Sequence, residues 1–223
     1  MKRNIYVLLA TAFLFTGVLI SCDLERDNTN PNDDAKHEID TNGEIKSGDL
    51  IFHTSKSSQS KAIQIATKSN YSHCGIIYLK NKELFVFEAI DPVQLTPFSE
   101  WINRGYRGHY VIKRLKNAAQ ILTQDRLKKM KKIGDAFKGR KYDGTFEWSD
   151  QRMYCSELIW KIYKRAVGIE IGKPQKLREF DLSNELVKQK IKDRYNGKVP
   201  LEDTVISPAA IFESELLETV FSN

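Results

Sequence analysis

Cysteine, glycine and proline are all scarce in this chain of 223 residues, and each scarcity excludes a class of protein. Three cysteines are too few for a small disulfide-dense scaffold. With 12 glycines and 6 prolines, the chain is neither collagen-like nor of low complexity. Hydrophobic residues make up 41% and charged residues 29%, so the chain has the apolar side chains that a packed core needs. The length suits one domain, with or without a tail.

The sequence also lacks an apolar run long enough to cross a membrane as a helix. The nearly continuous run over residues 5–20 has 16 residues, whereas a spanning helix needs about 20. It follows two basic residues and leads to Cys22, a layout that is typical of a secretory signal peptide. Its end resembles the lipobox of bacterial lipoproteins, in which the signal is cut before a cysteine that is then lipidated. We therefore predict a signal peptide over residues 1–21 and a lipid anchor on Cys22; the alternative is a short uncleaved signal anchor.

Acidic residues dominate the segment that follows, with eight acidic against two basic side chains in residues 23–44 and no apolar periodicity. This composition is typical of an unfolded linker. We predict a flexible tether over residues 22–44 and one folded domain over residues 45–223. The net charge of +6 divides into +2 for residues 1–22, −6 for residues 23–44 and +10 for residues 45–223, so the predicted domain is clearly basic.

A basic domain on an exported protein is not expected to meet nucleic acid. Anionic cell-wall polymers or lipid headgroups are the partners that its charge favours. We expect the protein to be exported and lipid-anchored in the bacterial cell envelope, at the outer membrane. The alternative is that the basic surface is simply well solvated and binds no partner.

The pattern of apolar residues over 45–223 predicts an α+β fold with a mostly antiparallel sheet. Alternating and continuous apolar runs bounded by turn residues predict strands, and apolar stripes at helical spacing predict helices. A hairpin turn is predicted near residues 80–82. The predicted strands cover residues 50–52, 73–79, 84–90 and 110–115. The predicted helices cover residues 57–69, 156–167 and 184–191, and a further helix is predicted after Thr123, which would cap it. A tail follows from 206 to 212.

Cys155 is the candidate nucleophile, because it lies at the predicted start of the helix over residues 156–167. Free backbone N–H groups and the positive end of the helix dipole favour a thiolate at that place. A cysteine hydrolase also needs a base and a group that orients the base.

His73 is the candidate base and Glu88 the candidate orienting group. A hairpin register in which paired positions sum to 161 places Glu88 opposite His73, and neighbouring even registers keep the two on the same face. Glu88 interrupts an apolar strand, where a buried carboxylate needs a partner such as an imidazole. The alternative is a buried pair with a purely structural role.

Cys74 directly follows His73, so it points to the other face of the strand and is predicted to be a small core residue. A disulfide between Cys74 and Cys155 is a rival hypothesis, because it would disarm the nucleophile. A zinc site formed by His73, Cys74 and Cys155 is less well supported, since neighbouring strand residues diverge and no Cys-x-x-Cys or His-x-x-x-His pair is present. We expect no metal and no cofactor.

Four short motifs together resemble the NlpC-type cysteine peptidases, a papain-like superfamily of cell-wall hydrolases. Their order matches the circularly permuted, YiiX-like branch, in which the cysteine motif comes last; the lecithin:retinol acyltransferase group shares this order more distantly. The resemblance covers roughly residues 46–212. The motifs are Gly48-Asp49-Leu50-Ile51-Phe52, Ser72-His73-Cys74-Gly75-Ile76, Phe87-Glu88-Ala89 and Tyr154-Cys155-Ser156-Glu157-Leu158.

This resemblance implies a permuted papain-like fold, with an antiparallel sheet or small barrel packed against helices. It also implies that Cys155 is the nucleophile, His73 the base and Glu88 the orienting group, with Tyr154 and the Cys155 N–H on the oxyanion side. The departure is Cys74, where related chains commonly carry an aliphatic residue.

Three functions are compatible with these residues. The leading hypothesis is hydrolysis of amide bonds, in cell-wall peptides, through a covalent thioester. The second keeps the same three residues but acts on lipid-derived acyl bonds, as hydrolase or acyltransferase. The third is a non-catalytic module that binds the envelope.

Overall fold

The computed structural model describes residues 45–223. The predicted signal peptide, the lipidated Cys22 and the acidic tether over residues 22–44 therefore lie outside the described residues. Within 45–223, every helix is too short or too polar to cross a bilayer.

A six-stranded antiparallel sheet forms the centre of the domain, in the order β10-β5-β1-β2-β3-β4. The two end strands do not pair with each other, so the sheet is open and does not close into a barrel. The short strands β6 and β7 pair in parallel, and β8 pairs with β9. The strands are β1 Leu50–His53, β2 His73–Lys80, β3 Glu83–Glu88, β4 Gln94–Pro97, β5 Val111–Leu115, β6 Lys141–Tyr142, β7 Arg152–Met153, β8 Gln175–Lys176, β9 Thr204–Val205 and β10 Leu217–Ser222.

Helices cover the sheet, and the longest of them in the described part of the chain is α5. The helices are α1 Ser60–Thr67, α2 Phe98–Asn103, α3 Ala118–Ile121, α4 Gln124–Asp135, α5 Cys155–Val167, α6 Glu185–Tyr195 and α7 Pro208–Phe212, with 3-10 turns at Tyr106–Gly108 and Leu177–Glu179. Helix α5 packs against β2 and α4, while α1 packs against α6. The α+β prediction, with an antiparallel sheet packed against helices, is confirmed.

Helix α5 buries the apolar stripe that its sequence predicts. Ile159, Ile162 and Tyr163 are fully buried in the same core as Leu50 and Ile76 of the sheet. Fully burying a large apolar side chain contributes about 1.5–3 kcal/mol, so this stripe holds the first residue of α5 firmly against β2. The helix ends at Gly168, whose φ of 78° is the left-handed conformation that favours glycine.

Residues Asn81 and Lys82 form a two-residue turn between β2 and β3, both with positive φ, of 53° and 68°. Such a turn favours asparagine at its first position. Ile76 therefore lies opposite Phe87, and paired positions sum to 163. The predicted sum of 161 is wrong, because it places the turn one residue too early. The shift between the two registers is even, so His73 and Glu88 still share a face, as predicted.

Asp49 of the Gly-Asp motif has a structural role. It is buried beside the start of β1, and both its carboxylate oxygens accept hydrogen bonds from Arg114 of β5, each at 2.7 Å. The backbone N–H of Lys46 also donates to Asp49. These bonds fix the chain where it enters the sheet.

Several elements were not predicted from the sequence, among them β4, α2 and β10. Strand β10 pairs with β5 at the sheet edge. Strand β4 and helix α2 follow β3 directly, and they bring Thr96 and Arg104 to the end of that strand. Both residues contact the site described next.

Candidate active site

Cys155 is the first residue of α5, and Tyr154 is the N-cap residue in an extended conformation. The side chain lies at the positive end of the helix dipole and is only 4% exposed. A hydrogen bond from the thiol of Cys74 holds the pKa of Cys155 well below its ordinary value, and the charge and hydrogen bond of His73 act in the same direction. These interactions outweigh burial, which raises the pKa. These interactions favour the thiolate form of the Cys155 sulfur.

His73, the first residue of β2, lies between Cys155 and Glu88. Its Nε2–H donates to Oε2 of Glu88 at 2.6 Å, which leaves Nδ1 as the nitrogen available to the sulfur. Burial acts to lower the pKa of His73, but the charge and hydrogen bond of the Cys155 thiolate, together with Glu88, raise it to about 9. The opposite shifts of Cys155 and His73 favour a thiolate–imidazolium pair.

Glu88, the last residue of β3, is fully buried and ionised. Its Oε1 accepts hydrogen bonds from Oγ1 of Thr96, at 2.5 Å, and from the guanidinium of Arg104. Burial acts to raise the pKa of Glu88, but the hydrogen bond and charge of His73, with Thr96 and Arg104, lower it below its ordinary value. The carboxylate is held on both oxygens, so the imidazole has a fixed orientation.

Sequence reasoning missed Thr96 and Arg104. Thr96 is two residues from the register partner of Glu88 on β4, a strand that is short and contains proline. Arg104 follows α2, and nothing in its neighbourhood of the sequence links it to Glu88. A search for a hydroxyl on the strand next to Glu88 could have found Thr96; no such signal exists for Arg104.

His53 lies beside the site but differs from His73 in its protonation state. Its ring stacks on Trp101, with ring centres 3.8 Å apart, and lies 5.4 Å from the ring of His73. Burial lowers the pKa of His53 to about 2, with further lowering by the positive charges of His73, Arg104 and Lys56. His53 is therefore neutral, and with Trp101 it lies beside the imidazole of His73.

Cys74 is fully buried in the core, as predicted. Helix α5 packs on the sheet face that carries Cys74 and Ile76, while His73 lies at the end of the same strand. Both neighbouring residues can therefore reach the sulfur of Cys155, a contact that side-chain alternation did not predict. Burial and the negative charge on Cys155 raise the pKa of Cys74 well above its ordinary value, so Cys74 stays a neutral donor.

The structure bears on the two rival hypotheses for these cysteines, the disulfide and the zinc site. Cys74 and Cys155 are both free thiols, so no disulfide joins them in this structure. Within residues 45–223, no group of three or more histidine, cysteine or acidic side chains is placed to hold a metal ion.

Tyr154 is buried and lines the cavity that opens at Cys155. Its hydroxyl accepts a hydrogen bond from the backbone N–H of Ile206 at 3.2 Å, and its ring packs edge-on against Phe146. The hydroxyl hydrogen is left to donate elsewhere. The expectation that Tyr154 contacts the oxyanion stays a prediction.

An antiparallel sheet that supplies the histidine and the carboxylate, followed along the chain by a helix that begins with the cysteine, defines a papain-like cysteine hydrolase of permuted order. The chain belongs to the permuted papain-like amidase family of YaeF and YiiX, family C92, whose model matches residues 44–221. This membership confirms the expectation of an enzyme with cysteine amidase chemistry at the family level.

Two relatives show how far the similarity extends. The chain is 47% identical over 175 residues to YiiX of Escherichia coli strain K12, a protein described as uncharacterized; the match covers 78% of this chain and 85% of that protein. It is also similar to the crystal structure of YiiX from Escherichia coli O157:H7, described as a metalloprotein, with a TM-score of 0.77 and 47% identity over 81% of this chain and 98% of that one.

Proposed function

We propose that this protein is a lipid-anchored cysteine hydrolase of the bacterial cell envelope that cleaves amide bonds. Cys155 is the nucleophile, His73 the acid and base, and Glu88 the orienting group. One observation carries the proposal: His73, whose charge and hydrogen bond help to lower the pKa of Cys155, is bonded to a carboxylate that is itself held by two donors.

The reaction begins when the Cys155 thiolate attacks the amide carbonyl carbon and forms a carbon–sulfur bond. The oxyanion lies at the N-terminus of α5, where the Cys155 N–H and the Tyr154 hydroxyl are the candidate donors; removal of one such donor typically costs about 3–4 kcal/mol in the barrier. The carbon–nitrogen bond then breaks, and His73 gives its proton to the leaving amine.

The second half of the reaction releases the acyl group. Neutral His73 removes a proton from a water molecule, whose oxygen attacks the thioester carbonyl. The carbon–sulfur bond breaks, the carboxylic acid leaves, and the thiolate–imidazolium pair is restored. Glu88 keeps the ring oriented in both halves without taking the proton.

Cell-wall peptides are the substrates that the sequence predicts for an exported and anchored member of this family. A lipid-derived acyl amide is the second candidate, because an apolar cavity opens at Cys155. A module that only binds the envelope has no use for a buried thiolate paired with an imidazolium, and this pair therefore favours catalysis over binding alone.

The direct test is Cys155→Ala, assayed on isolated sacculi and on acyl amides, with thermal melting as the check on folding. We expect turnover to fall at least 10³-fold with an unchanged fold. Lys128→Ala, on the exposed face of α4, is the matched control that keeps full activity. Wild-type-like turnover by Cys155→Ala would remove the proposal.

The anchor has its own test, independent of catalysis. Cys22→Ala should move the protein from the membrane fraction to the soluble fraction and abolish the mass increase of a lipidated N-terminal cysteine. Retention in the membrane by the variant would favour the uncleaved signal anchor instead.

A further inference from the structure

An apolar cavity of about 90 Å³ opens at the sulfur of Cys155. Its walls present almost only carbon to the interior, and they come from α1, α6 and the segment before α7. The apolar wall residues include Ala62, Ile63, Ala66, Val187, Ile191 and Val205. A charged or strongly polar group that entered this space would lose its hydration without gaining a partner.

The charged residues on the cavity wall are Lys190 and Arg194, and Arg194 is already paired. Its guanidinium donates to the side-chain oxygen of Gln59 and lies 4.8 Å from the centre of the Phe146 ring. Arg194 therefore does not need an anionic group of the substrate inside the cavity as its partner.

A second, wider cleft of about 670 Å³ lies on the side of His73. It is more polar, with Lys56, Asp91 and Arg104 among its walls. Gln59 and Tyr142 line both the cavity and the cleft, and the side-chain amide of Gln59 donates to the Tyr142 hydroxyl at 3.0 Å. This bonded pair, which we call the partition, separates an apolar space at the sulfur from a polar space at the imidazole.

The chemistry assigns a half of the substrate to each space. In the thioester the acyl group is attached to Cys155, so it lies on the cavity side. The leaving amine receives its proton from His73, so it lies in the polar cleft. We infer that the substrate is an amide whose acyl part is an aliphatic chain seated in the cavity and whose amine part is polar. This inference rests on the proposed function and names its substrate class.

The size of the cavity limits the chain that it encloses. A cavity of about 150 Å³ accepts benzene, so about 90 Å³ encloses a short alkyl segment of roughly four carbons, and a longer chain extends beyond the mouth. A buried methylene group raises binding about fourfold. The rate of acylation should therefore rise with acyl length up to about this limit and then level off.

The test measures acylation of Cys155 in the full chain by p-nitrophenyl esters of straight-chain acids, from acetyl to dodecanoyl. Nitrophenolate release gives the rate, and the mass increase identifies the acyl-enzyme. These esters test the cavity whatever amine the natural substrate carries. We expect the butyryl or hexanoyl ester to react at least tenfold faster than the acetyl ester.

Two variants should shift this preference in opposite directions. Ala62→Leu narrows the cavity and should reduce the ratio of hexanoyl to acetyl rates, while Val187→Ala widens it and should move the optimum to longer chains. Ala136→Leu, at an exposed position at the end of α4, is the matched control and should leave the ratio unchanged. If one cavity variant fails to fold, the other still tests whether the cavity sets the chain-length preference.

The outcomes separate this inference from the proposed function. Equal rates for all chain lengths, or cavity variants that leave the ratio unchanged, would overturn the acyl cavity while the nucleophile stands. Efficient hydrolysis of isolated sacculi by a wild-type enzyme without any chain-length preference would do the same in favour of cell-wall peptides. Failure of every ester, acetyl included, to acylate Cys155 would contradict the proposed function itself.

Discussion

His73 and Glu88 are bonded at 2.6 Å although they are not opposite each other in the hairpin. The register continued by one residue places Gly75 opposite Glu88, and His73 lies two residues further along the strand. A Cβ on Gly75 would lie 3.5 Å from the Cβ of Glu88 and 3.0 Å from the carbonyl oxygen of Phe87. The missing side chain at Gly75 thus leaves the carboxylate room to reach diagonally to the imidazole.

Glu88→Gln should reduce turnover by a factor on the order of 10²–10⁴, because an amide orients the ring without stabilising the imidazolium. Loss of the carboxylate should also lower the pKa of His73, so the alkaline limb of the pH–rate profile should move to lower pH. Steady-state kinetics across pH measures both effects. Glu83→Gln, at the exposed start of the same strand, is the control. An unchanged alkaline limb would contradict the orienting role.

The wild-type pH profile should be bell-shaped with a basic limb near pH 9. Because the pKa of His73 is raised to about 9, the proton for the leaving amine is present below that pH and is lost as pH rises through it. The acid limb should lie well below the ordinary pKa of a thiol, since the pKa of Cys155 is lowered. An acid limb near pH 8–9 would show an ordinary thiol.

Cys74→Ala should make Cys155 less reactive towards iodoacetamide at pH 6–7, by several-fold. The thiol of Cys74 is the leading cause of the lowered pKa of Cys155, and alanine removes this donor. The rate of alkylation as a function of pH should therefore shift to higher pH, while Cys74→Ser, which keeps a donor, should restore part of the reactivity. A shift shared equally by both variants would indicate a packing effect and not a hydrogen bond.

Gly75→Ala should destabilise the domain by roughly 1–3 kcal/mol, because the added methyl group would overlap Val86 and crowd Glu88. Thermal or urea unfolding measures this change. Gly144→Ala is the control: a Cβ there meets nothing within 4 Å, so its effect should stay within about 0.5 kcal/mol. Equal stability of the two variants would show that β2 can move away from β3.

The shared face of His73 and Glu88 could be predicted, because side chains on a strand alternate whatever the register. The register itself could not, since both candidate turns have two residues and differ only in which residues take positive φ. The start of α5 at Cys155 followed from a clear apolar stripe. Thr96 and Arg104 were missed because they act through the tertiary approach of β4 and α2, which have short and weakly patterned sequences.

The contact between Cys74 and Cys155 shows another limit. The alternation of side chains along β2 correctly places Cys74 on the core face. It describes the strand alone, however, and does not include helix α5, which packs against the end of that strand. Contacts of this kind depend on where α5 begins relative to β2, and a sequence does not give that distance.

The hydrogen-bonded pair of Gln59 and Tyr142 has an evolutionary consequence. Helices α1 and α6 shape one side of it, whereas the chain after β1 and the end of α2 shape the other. Substitutions in α6 can therefore change which acyl group the enzyme accepts. The residues around the catalytic atoms and the leaving amine stay the same. Homologues can in this way keep the same reaction while they come to act on different substrates.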